Sequence, residues 1–196
     1  MTIAKWRLLA AASLMSIGAV TNAMALAPHG GVDRGVEASA ISKDAPAETA
    51  HWGRLVGNWN FVLEELAPDG RVTESYAGEW NFFYTLGGEA IQDVFILPPR
   101  SAEISPEDHF YGTGIRIFDG ETKKWRVVWI DTGGRQFELR QATSTGDQIV
   151  MTTGPGANEK RWVYFDLHED RFQWRQEAMA DGKWTVDQRL TATRAD

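Results

Sequence analysis

Cysteine is absent from this 196-residue chain, so no disulfide, thiolate nucleophile or Cys-based metal site is open to it. Basic charge is scarce as well: 20 Lys and Arg stand against 27 Asp and Glu, a formal net charge of −7. That balance excludes a sequence-independent nucleic-acid binder, which needs basic surface to neutralise phosphates. The long apolar run "LLAAASLMSIGAV" (Leu8 to Val20) falls short of the roughly 20 residues that span a bilayer. No Gly-x-Ser-x-Gly elbow, phosphate loop or His-Glu-x-x-His motif occurs, which removes the common hydrolase, nucleotide and zinc-protease signatures. The glycine-rich "TTGPGANEK" (Thr152 to Lys160) lacks a Gly-Lys-Ser/Thr ending and a following helix, so it reads as a hairpin turn.

What is present begins with a three-part N-terminus. Lys5 and Arg7 make a basic start, the apolar run follows, and "NAMA" (Asn22 to Ala25) offers a small-x-small cleavage site. Residues 1–25 therefore read as a secretory signal peptide. Its removal takes away two positive charges and shifts the balance from −7 to −9. No Cys follows the cleavage site, so a lipoprotein anchor is excluded. The expectation is a periplasmic or secreted protein with no stable membrane anchor after cleavage. Residues 26–50 are rich in Ala, Gly and small polar residues without apolar period, the composition of a flexible leader. His29 lies in it. "HWGR" (His51 to Arg54) reads as a short helical turn entering the domain, which is expected to run over 51–196.

From Leu55 onward, short apolar or alternating runs are separated by turn chemistry such as "APDG", "DGETK", "TGG" and "ADG". Strands recurring every 8–12 residues or so, with no amphipathic helix between them, indicate an all-β antiparallel sandwich or barrel. About ten strands joined by short connections favour an up-and-down barrel, because few long crossovers are available. One connection differs: "PPRSAEISPEDH" (Pro98 to His109) is long and acidic with three prolines. It reads either as a lid over the barrel mouth or as a solvated loop.

"LVGNWNF" (Leu55 to Phe61) opens the first strand, and Gly57-Asn58-Trp59 within it resembles the Gly-x-Trp signature of the calycin superfamily, the lipocalins and their relatives. "GIRIFD…KKWRVVWID" and "KRWVYFDLHEDRFQWRQEAMADGKW" are similar to bacterial lipocalin-like domains of unassigned function, and the likeness covers roughly Leu55 to Arg194. The resemblance implies that Trp59 packs across the closed end and that an Arg of the last strand, Arg189 or Arg194, lies over its indole. A guanidinium on an indole face contributes about 0.5–2 kcal/mol. Gly57 would allow the sharp entry into the barrel. A haem-binding barrel of this kind uses a late-strand His, which the last strand here lacks. No cofactor and no metal are expected.

Alternate strand residues face the lumen, and the candidates for polar or aromatic lining are Asp93, His109, Tyr111, Arg116, Trp129, Arg161, Trp174 and Glu177. An Arg among them should meet Asp93 or Glu177, because a buried lone charge is costly. The competing reading makes each charge an outer-wall cross-strand pair. His51 is expected near the closed end and His168 in a surface turn. The functional expectation is an exported protein binding one small apolar or aromatic molecule, with Tyr111, Arg116, Trp129, Arg161 and Trp174 around it. The alternative is a small lyase, isomerase or hydratase with Arg116 or Arg161 as electrophile and Asp93, Glu177 or His109 carrying the proton. A third class is an envelope interaction protein with a filled barrel.

Overall fold

The computed structural model describes residues 37–153 and 159–195. The expected signal peptide, the leader as far as residue 36 and most of the "TTGPGANEK" turn lie outside them. A two-residue strand β1 (Glu37–Ala38) and a short helix α1 (Thr49–Gly53) precede the main body. Ten strands follow: β2 (Gly57–Leu66), β3 (Val72–Thr85), β4 (Ala90–Leu97), β5 (Phe110–Asp119), β6 (Lys124–Asp131), β7 (Gln136–Ser144), β8 (Ile149–Thr152), β9 (Lys160–Phe165), β10 (Arg171–Ala180) and β11 (Lys183–Arg194).

Each of these ten strands pairs antiparallel with the next in sequence, and β11 returns to β2, so the ring is closed. Closure gives every strand of the ring a neighbour on both sides. Trp59 lies opposite Arg194 in the seam between first and last strands. The expected up-and-down barrel is therefore the observed one. Residues before 51 also pack on it. β1 pairs with β3 through Glu37↔Thr85 and Ala38↔Tyr84, Ser42 N donates to Gly88 O at 3.1 Å, and Thr49 is fully buried. Part of the stretch without apolar period is thus held through backbone hydrogen bonds, which need no apolar pattern.

Alternation sorts the strand residues onto two faces. β2 turns Trp59, Phe61 and Leu63 inward, β6 turns Trp125, Val127 and Trp129 inward, and β10 turns Phe172 and Trp174 inward. β7 reverses the simple rule. Its apolar Phe137 and Leu139 are 66% and 72% exposed, while Arg140 is buried. The register from β6 dictates this, since Trp129 pairs with Glu138 and Val127 with Arg140. The neighbouring hairpin overrides residue polarity: a slip of β7 by one position would turn Phe137 and Leu139 inward and put Glu138 and Arg140 outside.

The long loop after β4 starts along the outer wall. Arg100 donates through its backbone N and its Nε to Glu79, at 2.7 and 2.8 Å, and Glu79 is on the outer face of β3. Pro99 and Ser101 border an open groove of about 390 Å³ with outer residues Asn60, Val62, Ala77 and Thr191. Residues 99–101 of the loop thus lie along the outside wall, with a wall residue as their anchor.

Candidate functional site

At one end the barrel is sealed by rings and a guanidinium. Trp59 has no exposed surface, its Nε1 donates to Leu55 O at 2.7 Å, and Phe172 meets it edge-on at 4.8 Å. Arg194 lies over the indole at 4.1 Å and donates from Nη1 to Val56 O at 3.1 Å. Gly57 has a φ of 137°, and a Cβ there would overlap Arg194 Nη1, so glycine serves both the backbone bend and the cation's approach. Arg189, the other candidate for this place, is on the outer face and pairs with Glu64. α1 completes the seal: Trp52 packs on Tyr164 at 4.9 Å and Trp125 at 6.2 Å. Arg54 fixes the helix by donating to Gly146 O and Leu167 O at 2.6 and 2.7 Å. His51 lies within this helix, and His168 in the β9–β10 turn with Asp166 at 2.8 Å.

Above the seal sits a buried ion pair. Arg116 and Asp93 are 1% and 0% exposed and joined through Nη2 and Oδ1. Trp80 Nε1 donates to Asp93 Oδ2 at 2.5 Å, and Arg116 stacks on Trp52 at 4.3 Å. Gly114 makes the room, since a Cβ there would come 2.7 Å from Asp93 Oδ1 and 2.8 Å from Arg116 Nη2. Burial pushes the Asp93 carboxyl above its ordinary value, with the charge of Arg116 opposing it. The Tyr164 phenol is likewise raised by burial, and Arg116 and Arg140 offset part of this while Asp93 adds to it.

Toward the other end a second ion pair lines the wall. Arg140 pairs with Glu138, whose side chain is 32% exposed against 3% for Arg140. The guanidinium lies 3.6 Å over the Trp162 ring. Trp162 Nε1 donates to Gln176 Oε1 at 2.8 Å, and Gln176 Nε2 donates to both carboxylate oxygens of Asp187 at 3.1 Å. Trp129 Nε1 donates to Asp131 Oδ2 at 2.9 Å. The inward rings change here: Phe95, Phe110 and Trp162 are only half-buried. The rings at the sealed end have essentially no exposed surface. The inward rings are thus fully buried at the Trp59 end and only partly buried toward the end where β6 meets β7.

The expected lumen set divides. Asp93, Arg116, Trp129 and Trp174 face inward and are packed together with Trp80, Tyr164 and Trp162. Arg161 and Glu177 are corrected to the outer wall. They pair opposite one another beside Trp162 and Gln176, which point in, and Arg161 stacks on Trp184 at 4.2 Å. Burial alone would raise the Glu177 carboxyl, but hydrogen bonds from Arg161 and Arg175 outweigh it and hold it below the ordinary range. Tyr111 is also an outer residue, since Gly112, Gly114 and Arg116 occupy the inward positions of β5. His109 shares its side, 5.7 Å from the Tyr111 ring, with Nδ1 3.1 Å from Pro98 O. Glu138 and Arg140 escaped the sequence reading. The signal for them was the inward Trp125-x-Val127-x-Trp129 face carried across a short hairpin, which places them opposite.

No family model matches the chain, and no curated protein matches it either. Solved structures do. An S-type phycobiliprotein lyase, CPES from Guillardia theta, is 12% identical, with 75% of this chain and 92% of that chain covered at a TM-score of 0.52. Rv2717c from M. tuberculosis is 16% identical, covers 78% of this chain and all of its own (100%), and has a TM-score of 0.53. At such identities the likeness concerns the fold. The chain has a calycin-like barrel fold.

Proposed function

We propose, taking the calycin-like barrel as premise, that this chain is an exported protein that takes one small apolar or aromatic molecule into the open end of its barrel. The observation that carries the reading is the gradient in ring burial. Trp52, Trp59, Trp125 and Phe172 are fully buried at one end, whereas Phe95, Phe110 and Trp162 keep exposed surface toward the other. Flat apolar surface facing solvent within a concave wall is what a small-molecule site offers. Export is supported by the basic, apolar and small-residue sections of the first 25 residues.

Titration with a panel of apolar and aromatic ligands, followed through tryptophan emission, is expected to give saturable quenching. Trp162 and Trp129 stand at the accessible end, so substituting Trp162 by Phe should remove a large part of the signal change. A panel that produces only linear, unsaturable quenching would remove the reading.

A second reading, a small lyase or isomerase, is favoured by one observation: a carboxyl deep in the barrel, Asp93, is raised by burial and touches a guanidinium. With Arg161 and Glu177 outside, Asp93 and Arg116 are left as proton carrier and electrophile. On this reading, a ligand that binds is converted, and Asp93→Asn retains binding while turnover is lost. Equal turnover in that variant would count against it. A shared fold with a lyase assigns no chemistry by itself.

A further inference from the structure

We infer that the molecule taken by the barrel carries a carboxylate, and that Arg140 is the side chain that receives it. This rests on the binding reading above and names the class of ligand for that same site. The starting point is an imbalance of hydrogen-bonding groups inside the barrel. Among the described residues, the buried side-chain atoms left without a partner include Nε and Nη1 of both Arg116 and Arg140 and the Nε1 atoms of Trp52, Trp125 and Trp174. Every one of these is a donor. No carboxylate, amide or other acceptor-only oxygen stands among them. Tyr164 Oη, Thr49 Oγ1 and His51 Nδ1 are also without a partner, and each of these can donate or accept. An interior with unmet donors is complementary to a molecule that brings acceptors.

Two of those donor groups are guanidiniums, and their surroundings differ. Arg116 is covered by Trp52 and Phe82, at 4.3 and 5.5 Å, behind the sealed end. Arg140 belongs to the accessible half. Its Nη2 is held by Glu138, while Nε and Nη1 have nothing to donate to. Its stacking on Trp162 sets the plane of the fork against one of the half-buried rings. Burial lowers the Arg140 guanidinium from its ordinary value, and Glu138 restores part of the difference. A second carboxylate would do the same with hydrogen bonds that Glu138 leaves unmade.

Of the other acids of this half, Glu65 is buried on the inner face of β2 and has a partner of its own, and two more are engaged. Asp131 accepts from Trp129 Nε1 and from Gly134 N, both at 2.9 Å, and Asp187 accepts from Gln176. Glu138, by contrast, has a third of its side chain in reach of solvent. It is a stand-in anion that can swing outward while an incoming carboxylate takes its place. The exchange leaves the buried charge unchanged, so the large cost of burying a new lone charge does not arise. A planar two-oxygen acceptor matches the guanidinium fork, and charge-assisted pairs of this kind are the strong ones.

The test uses naphthylacetate and its neutral twin naphthylacetamide, each titrated against tryptophan emission. The acid is expected to bind about tenfold tighter than the amide or more. Arg140→Met should bring the two to equal affinity. Glu138→Gln should tighten the acid several-fold and leave the amide unchanged, because the internal competitor has lost its charge. Equal affinities in the unaltered protein would overturn the inference and leave the binding reading intact. Saturable quenching by neither probe, nor by any member of the wider panel, would overturn the binding reading and this with it. If near-UV circular dichroism shows Arg140→Met unfolded, Glu138→Gln decides: no gain for the acid overturns the assignment.

Discussion

Trp59→Ala is expected to lower unfolding stability by about 3–5 kcal/mol, the range for truncating a large buried aromatic. Three losses coincide at this position. The side chain is fully buried, its Nε1 gives up a 2.7 Å bond to Leu55 O, and Arg194 loses the ring beneath it. The site has little capacity to collapse, because Phe172 is held by its own strand partners and Arg194 by carbonyls of Val56 and Glu169. The measurement is a urea unfolding midpoint with unchanged slope, compared with Leu139→Ala. Leu139 is 72% exposed, so that control should stay within about 0.5 kcal/mol. A Trp59→Ala loss no larger than the control's would mean that the indole does not seal the barrel.

The second large effect concerns the buried pair. Arg116→Met is expected to cost about 3–5 kcal/mol, since it strands Asp93 in an apolar interior. Asp93→Leu should cost a similar amount by stranding the guanidinium. The double variant should recover most of the loss, because two apolar side chains of comparable volume need no solvation. Trp80 qualifies this in a measurable way: its Nε1 loses the Asp93 acceptor in the double variant, so recovery should fall short of complete. In Arg116→Met the Asp93 carboxyl moves further upward, as the charge opposing burial has gone. Additive single-variant losses in the double variant would show that the two side chains do not act as a pair.

Much of the architecture was legible before any coordinates. Short alternating runs and turn residues at regular intervals specify antiparallel strands because a strand's side chains repeat every second residue. Gly57 and Trp59 pointed to the sealed end, and the terminal Arg to its cap. The alternation in β5 and β6 also made Arg116 and Trp129 candidates for the lumen, and both are buried on the inner face. Between Arg189 and Arg194, however, the pattern was silent. Both fall in one strand, and only the register opposite Trp59 selects Arg194.

Charge and polarity along the chain determined the balance of the surface, period-two spacing determined antiparallel strands, and short connections favoured an up-and-down barrel. Which face of each strand turned inward was left to the tertiary structure. β7 buries Arg140 and exposes Phe137 and Leu139, against the polarity of its own residues, because its register is locked to the indoles of β6. Arg161 and Glu177 went to the outer wall for the matching reason: Trp162 and Trp174 claimed the interior of β9 and β10. A local pattern shows that two faces exist. Only the packing of ten strands around one axis decides which face is inside, since a single shared register must satisfy every neighbour at once.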